Sequence, residues 1–176
     1  MAAQERLCLK NIRAGGVGST TGKTSSERQR QNHPEEFQMD QRQNSSEDEA
    51  AVRAVVETWL AAIRRRDMEG IVQNHSPDFV MFDVPPPFQS RGLEAYRTTW
   101  DLFYSWASDP VLFEPTEMSI TAGANVAFVV ATMRCAGSSE ANEEPEGLDF
   151  RLTVGLRKID DRWTITHEHH SVPAVD

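Results

Sequence analysis

Near the end of the chain, the stretch "RWTITHEHHSVP" sets His167, Glu168, His169 and His170 in consecutive positions. Imidazole and carboxylate groups can ligate a metal, move protons near neutral pH, or hydrogen-bond one another inside a core. A zinc peptidase motif needs His-Glu-x-x-His on a helix. Here the residue four beyond His167 is Ser171, and "WTIT" is aromatic and β-branched, which suits a strand. A His-x-His pair on a strand could hold a metal only with further donors such as Asp83 or His75, as in double-sheet β folds. The helices read below argue against such a fold, so no metal is expected. The strand period of two puts Trp163, Ile165, His167, His169 and Ser171 on one face. Thr164, Thr166, Glu168 and His170 take the other. Trp163 and Ile165 are apolar, so their face is predicted to turn inwards and carry His167 and His169 with it. The inward pair are then either neutral core histidines or groups that titrate against a ligand.

A second chemical group stands in "DFVMFDVPPP". Phe79, Met81 and Asp83 share one strand face, and Val80, Phe82 and Val84 share the other. A carboxylate beside Phe and Met loses hydration, which raises its pKa and suits it to act as a base. An Asp beside prolines also serves as a turn cap that accepts backbone N–H bonds. Both roles stay open.

These groups need elements to hold them. Residues 1–46 read as a polar tail, poor in large apolar side chains and predicted to be disordered. Its "GGVGSTTGKT" resembles a phosphate-binding loop, but the leading glycine is misplaced by one residue and no apolar strand precedes it. From residue 47 to 176 one domain is expected. Ser45 or Ser46 would cap a first helix, along which Val52, Val56, Trp59, Leu60 and Ile63 recur at helical spacing. "DMEGIVQNHSPDF" suggests a short second helix stopping before Pro77. Leu93, Tyr96, Trp100 and Phe103 mark another helix after the proline loop. Two hairpins follow, turning at "AGAN" and "DD". Helices followed by a mostly antiparallel sheet make an α+β domain.

Composition narrows the partners. Residues 47–176 carry 11 Lys/Arg against 22 Asp/Glu, an acidic balance that repels phosphate backbones and anionic membranes. Neither a secretory leader nor a membrane span is expected. Cys8 and Cys135 form no CxxC pair, which fits a reducing compartment; the cytoplasm is the expected location.

The order helix, short helix, "SPDFVMFDVPPP", helix, then strands ending in "THEHHSVP" resembles the SnoaL-like branch of the NTF2/ketosteroid-isomerase superfamily. The resemblance covers about residues 47–173, with "FDVPPP" and "LTVGLRK" as further matching pieces. It implies a cone-shaped α+β fold, its helices packed in the concave face of a curved sheet and commonly dimeric through that sheet. It also implies a pocket for a small apolar or aromatic molecule, with no cofactor. Asp83 and His169 are then the expected acid/base pair, and His167, Ser171, Tyr96, Trp100, Phe79 and Met81 the expected lining. An alternative is a non-catalytic dimerisation module. Steroid isomerisation pairs an Asp base with a Tyr and a protonated Asp. Here Tyr96 and Tyr104 both fall on the third helix without a second acid beside them. An Asp-Arg-Asp hydrolase set could draw on Asp83, Asp149 and Arg134 or Arg151.

Overall fold

The computed structural model describes residues 34–137 and 147–174, with side chains from Ser45 onwards; most of the expected tail and the acidic connection 138–146 lie outside the described residues. The first helix, α1, spans Pro34–Arg64 and so begins before the expected cap at Ser45. Pro34 followed by Glu35 and Glu36 is itself a helix-start signal, since proline fits the first turn and acids suit the positive end of the helix dipole. Ser45 therefore lies inside the helix, and its hydroxyl donates to the Ala122 carbonyl at 3.2 Å. Asp48 accepts the Trp163 indole N–H at 3.1 Å and pairs with Lys158, fastening α1 to the last hairpin.

Helix α2, Met68–Val72, is capped by Asp67, whose carboxylate accepts the Gly70 N–H at 3.0 Å. It is shorter than expected. Strand β1, His75–Phe82, starts before Pro77, and its pairing register breaks between His75 and Val80. Proline cannot donate to a ladder, so an irregularity is where a strand tolerates it. After the proline loop come β2, Ser90–Arg91, and α3, Gly92–Trp106. The remaining strands are β3, Phe113–Ala122; β4, Val126–Ala136; β5, Gly147–Ile159; and β6, Arg162–Ser171. They form one sheet in the order β2-β1-β6-β5-β4-β3, antiparallel except for the β1–β6 pair. The expected α+β fold with helices against a mostly antiparallel sheet is the one observed. At the β5–β6 turn Asp160 and Asp161 both have positive φ, 49° and 58°, as a two-residue type I′ hairpin requires.

The core lies between the helices and the inner sheet face. Val52, Val56, Trp59 and Ile63 of α1 and Tyr96 and Trp100 of α3 are buried there. Phe150, Leu152, Val154 and Leu156 of β5 meet them from the sheet. The β5 apolar row is thus covered by the chain's own helices. The exposed apolar row is on β4, where Val126, Phe128 and Val130 face away from the helices. Among the described residues no helix is long and apolar enough to cross a membrane.

One irregularity in β6 decides the site. Leu156 pairs with Ile165, but Gly155 pairs with His167, so Thr166 is an extra residue in the strand. Its hydroxyl donates to the Gly155 carbonyl at 3.2 Å. Such a bulge reverses the alternation beyond it. Trp163 and Ile165 face the core as expected, but past Thr166 it is Glu168 and His170 that are buried. His169 is exposed and His167 half-buried. The expectation that His167 and His169 point inwards is corrected by this one residue.

Candidate functional site

Glu168 is the centre of the site, fully buried in the middle of β6. Its Oε1 accepts from the Tyr96 hydroxyl at 2.8 Å and faces His75 Nε2 at 2.8 Å. The Tyr96 oxygen in turn accepts the Trp59 indole N–H at 3.0 Å. The other ring nitrogen of His75, Nδ1, is buried without a hydrogen-bond partner among the described residues. Glu168 Oε2 lies 3.5 Å from His170 Nε2, too long for a good hydrogen bond, so that contact is an ion pair. On its other side His170 Nδ1 lies 3.3 Å from Asp83 Oδ1. One imidazole thus bridges two carboxylates, one in the core and one at the proline loop.

Electrostatics follow from that order. Burial pushes the Glu168 carboxyl up, but the imidazoles of His170 and His75 outweigh it and hold the group well below the usual carboxylate range. Burial also works against a charged His170, yet Asp83 and Glu168 together raise it to about 9. Burial and the neighbouring Glu168 charge keep the Tyr96 phenol protonated well above its ordinary range. At neutral pH Glu168 is therefore a carboxylate and the His170 beside it an imidazolium.

Asp83 and His170 form the polar patch of a cavity of about 370 Å³ between α3 and the sheet. Its apolar lining includes Met81, Trp100, Phe103, Phe113, Leu148 and Phe150. The volume falls in the range of small-molecule sites, which are mostly apolar with a few placed polar groups. Asp83 is anchored through one oxygen only. Its Oδ1 accepts the Val84 N–H at 2.8 Å and faces His170, while Oδ2 makes no hydrogen bond among the described residues. Such a carboxylate can take a proton from a molecule in the cavity. Both N–H groups of the imidazolium are already turned to carboxylates, so His170 orients Asp83 and stabilises its charge.

Of the residues expected at the site, Asp83, Trp100 and Met81 line this cavity. Phe79 and Tyr96 are buried behind it, Tyr96 as the hydrogen-bond donor to Glu168. His167 is held by a 2.8 Å contact from Nδ1 to the Val80 carbonyl, and neither it nor Ser171 lines the cavity. His169 borders a second hollow along the proline loop with Phe82, Pro87 and Phe88, and Asp83 lines that hollow as well as the cavity. Arg134 and Asp149 pair with each other at 3.1 Å on the exposed surface, and neither they nor Arg151 line the cavity with Asp83. Sequence reasoning missed Glu168, His170 and His75. The signal that could have found them is Gly155, since a lone glycine in a strand pattern marks a bulge or a close approach. A Cβ there would meet that of His167 at 3.4 Å. Among the described residues no cluster of three or more His, Cys, Asp or Glu could hold a metal ion.

Comparison with known proteins agrees with this architecture. A family model described as a SnoaL-like domain matches residues 52–175. An NTF2-like protein of unknown function from Pseudomonas putida KT2440 is 30% identical, with a TM-score of 0.66 over 73% of this chain and 89% of that one. A nuclear transport factor 2-like superfamily protein from Salmonella enterica shares the fold at 18% identity and a TM-score of 0.63, covering 74% and 94% of the two chains. A ketosteroid isomerase-like protein from Erwinia carotovora does so at 18% identity and 0.60, covering 72% and 98%. No curated protein matches the sequence. A six-stranded sheet closed over α1 and α3, with a cavity at the end of β1, is thus the frame of a SnoaL-like domain, and this chain belongs to that family.

Proposed function

We propose that the chain is a cofactor-free acid/base enzyme acting on a small apolar or aromatic molecule, with Asp83 as the base and His170 as the residue that positions it. The observation that carries this reading is Asp83 itself. One carboxylate oxygen is fixed by the Val84 N–H and His170, the other makes no hydrogen bond among the described residues, and the residue lines an apolar cavity. A base so placed gains from exclusion of water and from fixed orientation. His170 is taken as the partner of Asp83 because it lines the same cavity and meets Asp83 Oδ1 at 3.3 Å, whereas His169 shares only the second hollow with Asp83. Free Cys135, buried in the cavity wall, fits a reducing compartment such as the cytoplasm.

The test needs no natural substrate. A nitrobenzisoxazole opens its ring on loss of a single C–H proton and reports a base in a dry site. Wild-type protein is expected to accelerate the opening over free acetate at equal carboxylate concentration. Asp83→Asn should lose at least about tenfold of that rate, since a positioned base contributes ~100-fold or more. His169→Ala should change nothing. Equal rates for wild type and Asp83→Asn would sink the reading.

The second reading, a dimerisation module, is favoured by the exposed apolar row Val126, Phe128 and Val130 on β4. A homodimer through the outer sheet face is compatible with either function, and such symmetric contacts are the commonest in soluble assemblies. Phe128→Glu would place two like charges across a two-fold contact and should convert a dimer to a monomer in sedimentation at micromolar protein. A wild-type monomer under those conditions would reject the dimer.

A further inference from the structure

We infer that the cavity selects a cation: a ligand with an ammonium group on an apolar, ring-sized body. This rests on the reading of Asp83 as the cavity's reactive group and deepens it to a ligand class. Three independent observations point the same way.

The first is the charge of the wall. Among the described residues, Asp83 and His170 are the only carboxylate and imidazole lining the cavity, and no lysine or arginine lines it. Behind His170 stands Glu168, fully buried, so the imidazolium is shared between two carboxylates. Two carboxylates against one bridging imidazolium leave an excess of negative charge, and no lysine or arginine stands on the described lining to offset it. An anionic ligand would meet that charge in a poorly hydrated site, where repulsion is far less screened than in water.

The second is the free valence. Asp83 Oδ2 makes no hydrogen bond among the described residues, whereas Oδ1 is held on two sides. The wall hydroxyls do not supply a donor for it. Thr99 donates to the Tyr96 carbonyl at 2.7 Å and Ser105 to the Leu102 carbonyl at 2.7 Å. Apart from His170 Nε2, turned to Glu168, the one unpartnered side-chain N–H on the described lining is Trp100 Nε1, and it is not within hydrogen-bond reach of Asp83. A carboxylate oxygen left without a protein donor can take its hydrogen bond from a ligand, and an ammonium N–H is the charge-assisted donor that suits it.

The third is the aromatic wall. Trp100, Phe103 and Phe113 stand in mutual contact with ring centroids 5.5 to 5.6 Å apart. Phe150 continues the row at 5.6 Å from Phe113 and reaches His170 at 5.3 Å. Aromatic faces next to a carboxylate stabilise cations through their ring quadrupoles, most strongly when desolvated. The acidic domain, with 22 Asp/Glu against 11 Lys/Arg over residues 47–176, adds a field that concentrates cations near the surface.

Within the acid/base reading the proton taken by Asp83 is then an ammonium proton. The N–H bond breaks with its electron pair staying on nitrogen, the Oδ2–H bond forms, and a neutral amine is left beside a neutral carboxylic acid. The free amine is a nucleophile, and the charge of the imidazolium is unchanged.

The test is a charge series on one ring body, followed by quenching of tryptophan fluorescence at neutral pH. Naphthylmethylammonium should bind at least about tenfold more tightly than naphthylmethanol, and naphthoate should bind more weakly than either. In Asp83→Asn the ammonium should lose its advantage over the alcohol. Ammonium and alcohol binding alike in the wild type would overturn the inference, as would a preference that survives Asp83→Asn. The wild-type series decides the matter even if the variant does not fold. An ammonium preference in a protein inert towards nitrobenzisoxazole supports the inference while removing the acid/base reading. Rapid ring opening without any ammonium preference does the reverse.

Discussion

Glu168→Ala is expected to lower the stability of the fold by about 3–5 kcal/mol, the cost of breaking a buried ion pair from one side. The carboxylate is fully buried and serves three partners at once: Tyr96, His75 and His170. Its removal leaves the Tyr96 hydroxyl and a His75 N–H without acceptors inside the core. Each such orphan costs ~1–3 kcal/mol. It also leaves the buried His170 imidazolium with Asp83 alone. For a domain of this size the melting temperature should fall by on the order of 10 °C. Glu168→Gln keeps one acceptor oxygen for the Tyr96 hydroxyl and should fall less. His169→Ala, one residue along on the exposed side, should stay within ~0.5 kcal/mol of wild type. A Glu168→Ala protein that melts within a degree or two of wild type would refute the view that this carboxylate organises the core.

A buried carboxylate is expensive, and the fold surrounds it with the donors it needs. Trp59 from α1, Tyr96 from α3, His75 from β1 and His170 from β6 all bear on Glu168 or on its immediate partner. Helices and sheet therefore meet through a polar network as well as through apolar packing. Such a network is satisfied only when all four elements are in register, which ties the position of Asp83 to the assembly of the whole domain.

The alternation of apolar residues made most of the architecture legible. The stripe through Val52, Val56, Trp59 and Ile63 marked α1, and the pairing of Phe79 with Met81 marked the buried face of β1 that ends at Asp83. What alternation cannot show is a change of phase. The inserted Thr166 moved Glu168 and His170 to the inner face, and so exchanged which histidine meets Asp83. Periodicity carries each strand's faces only as far as its next irregularity. Gly155 was the one local sign, and it lies on the facing strand, where it cannot be placed against Thr166 without the register. The early start of α1 has a similar origin. Propensity in the segment before Ser45 is polar but helix-compatible, and a polar helical extension looks like a tail when only apolar periodicity is counted.

His170 should also write itself into the pH dependence of stability. In the folded protein its proton is held up to about 9 by Asp83 and Glu168 despite burial, against an ordinary value of 6.5. Below pH ~6.5 both folded and unfolded chains carry that proton, and the stabilisation is fully present. Above it the unfolded chain loses the proton while the folded one keeps it. Unfolding then releases a proton, and stability falls by ~1.4 kcal/mol per pH unit until the folded group titrates as well. Urea melts at pH ~6.5 and ~8.5 should therefore differ by about 2 kcal/mol. Stopping there keeps clear of Cys135, whose thiol burial pushes up to about 11 and which would add its own alkaline loss. On the acid side the sign reverses. Glu168 is held below its ordinary value, so its contribution is present above about pH 4.5 and fades as the pH falls towards its folded value. His170→Gln removes the titrating ring while keeping a side chain that can donate to Asp83 or Glu168. That variant should be less stable at pH ~6.5 and nearly flat up to ~8.5. A wild-type protein with no alkaline slope, or a His170→Gln protein that keeps the same slope, would show that the bridge between the two carboxylates carries no charge.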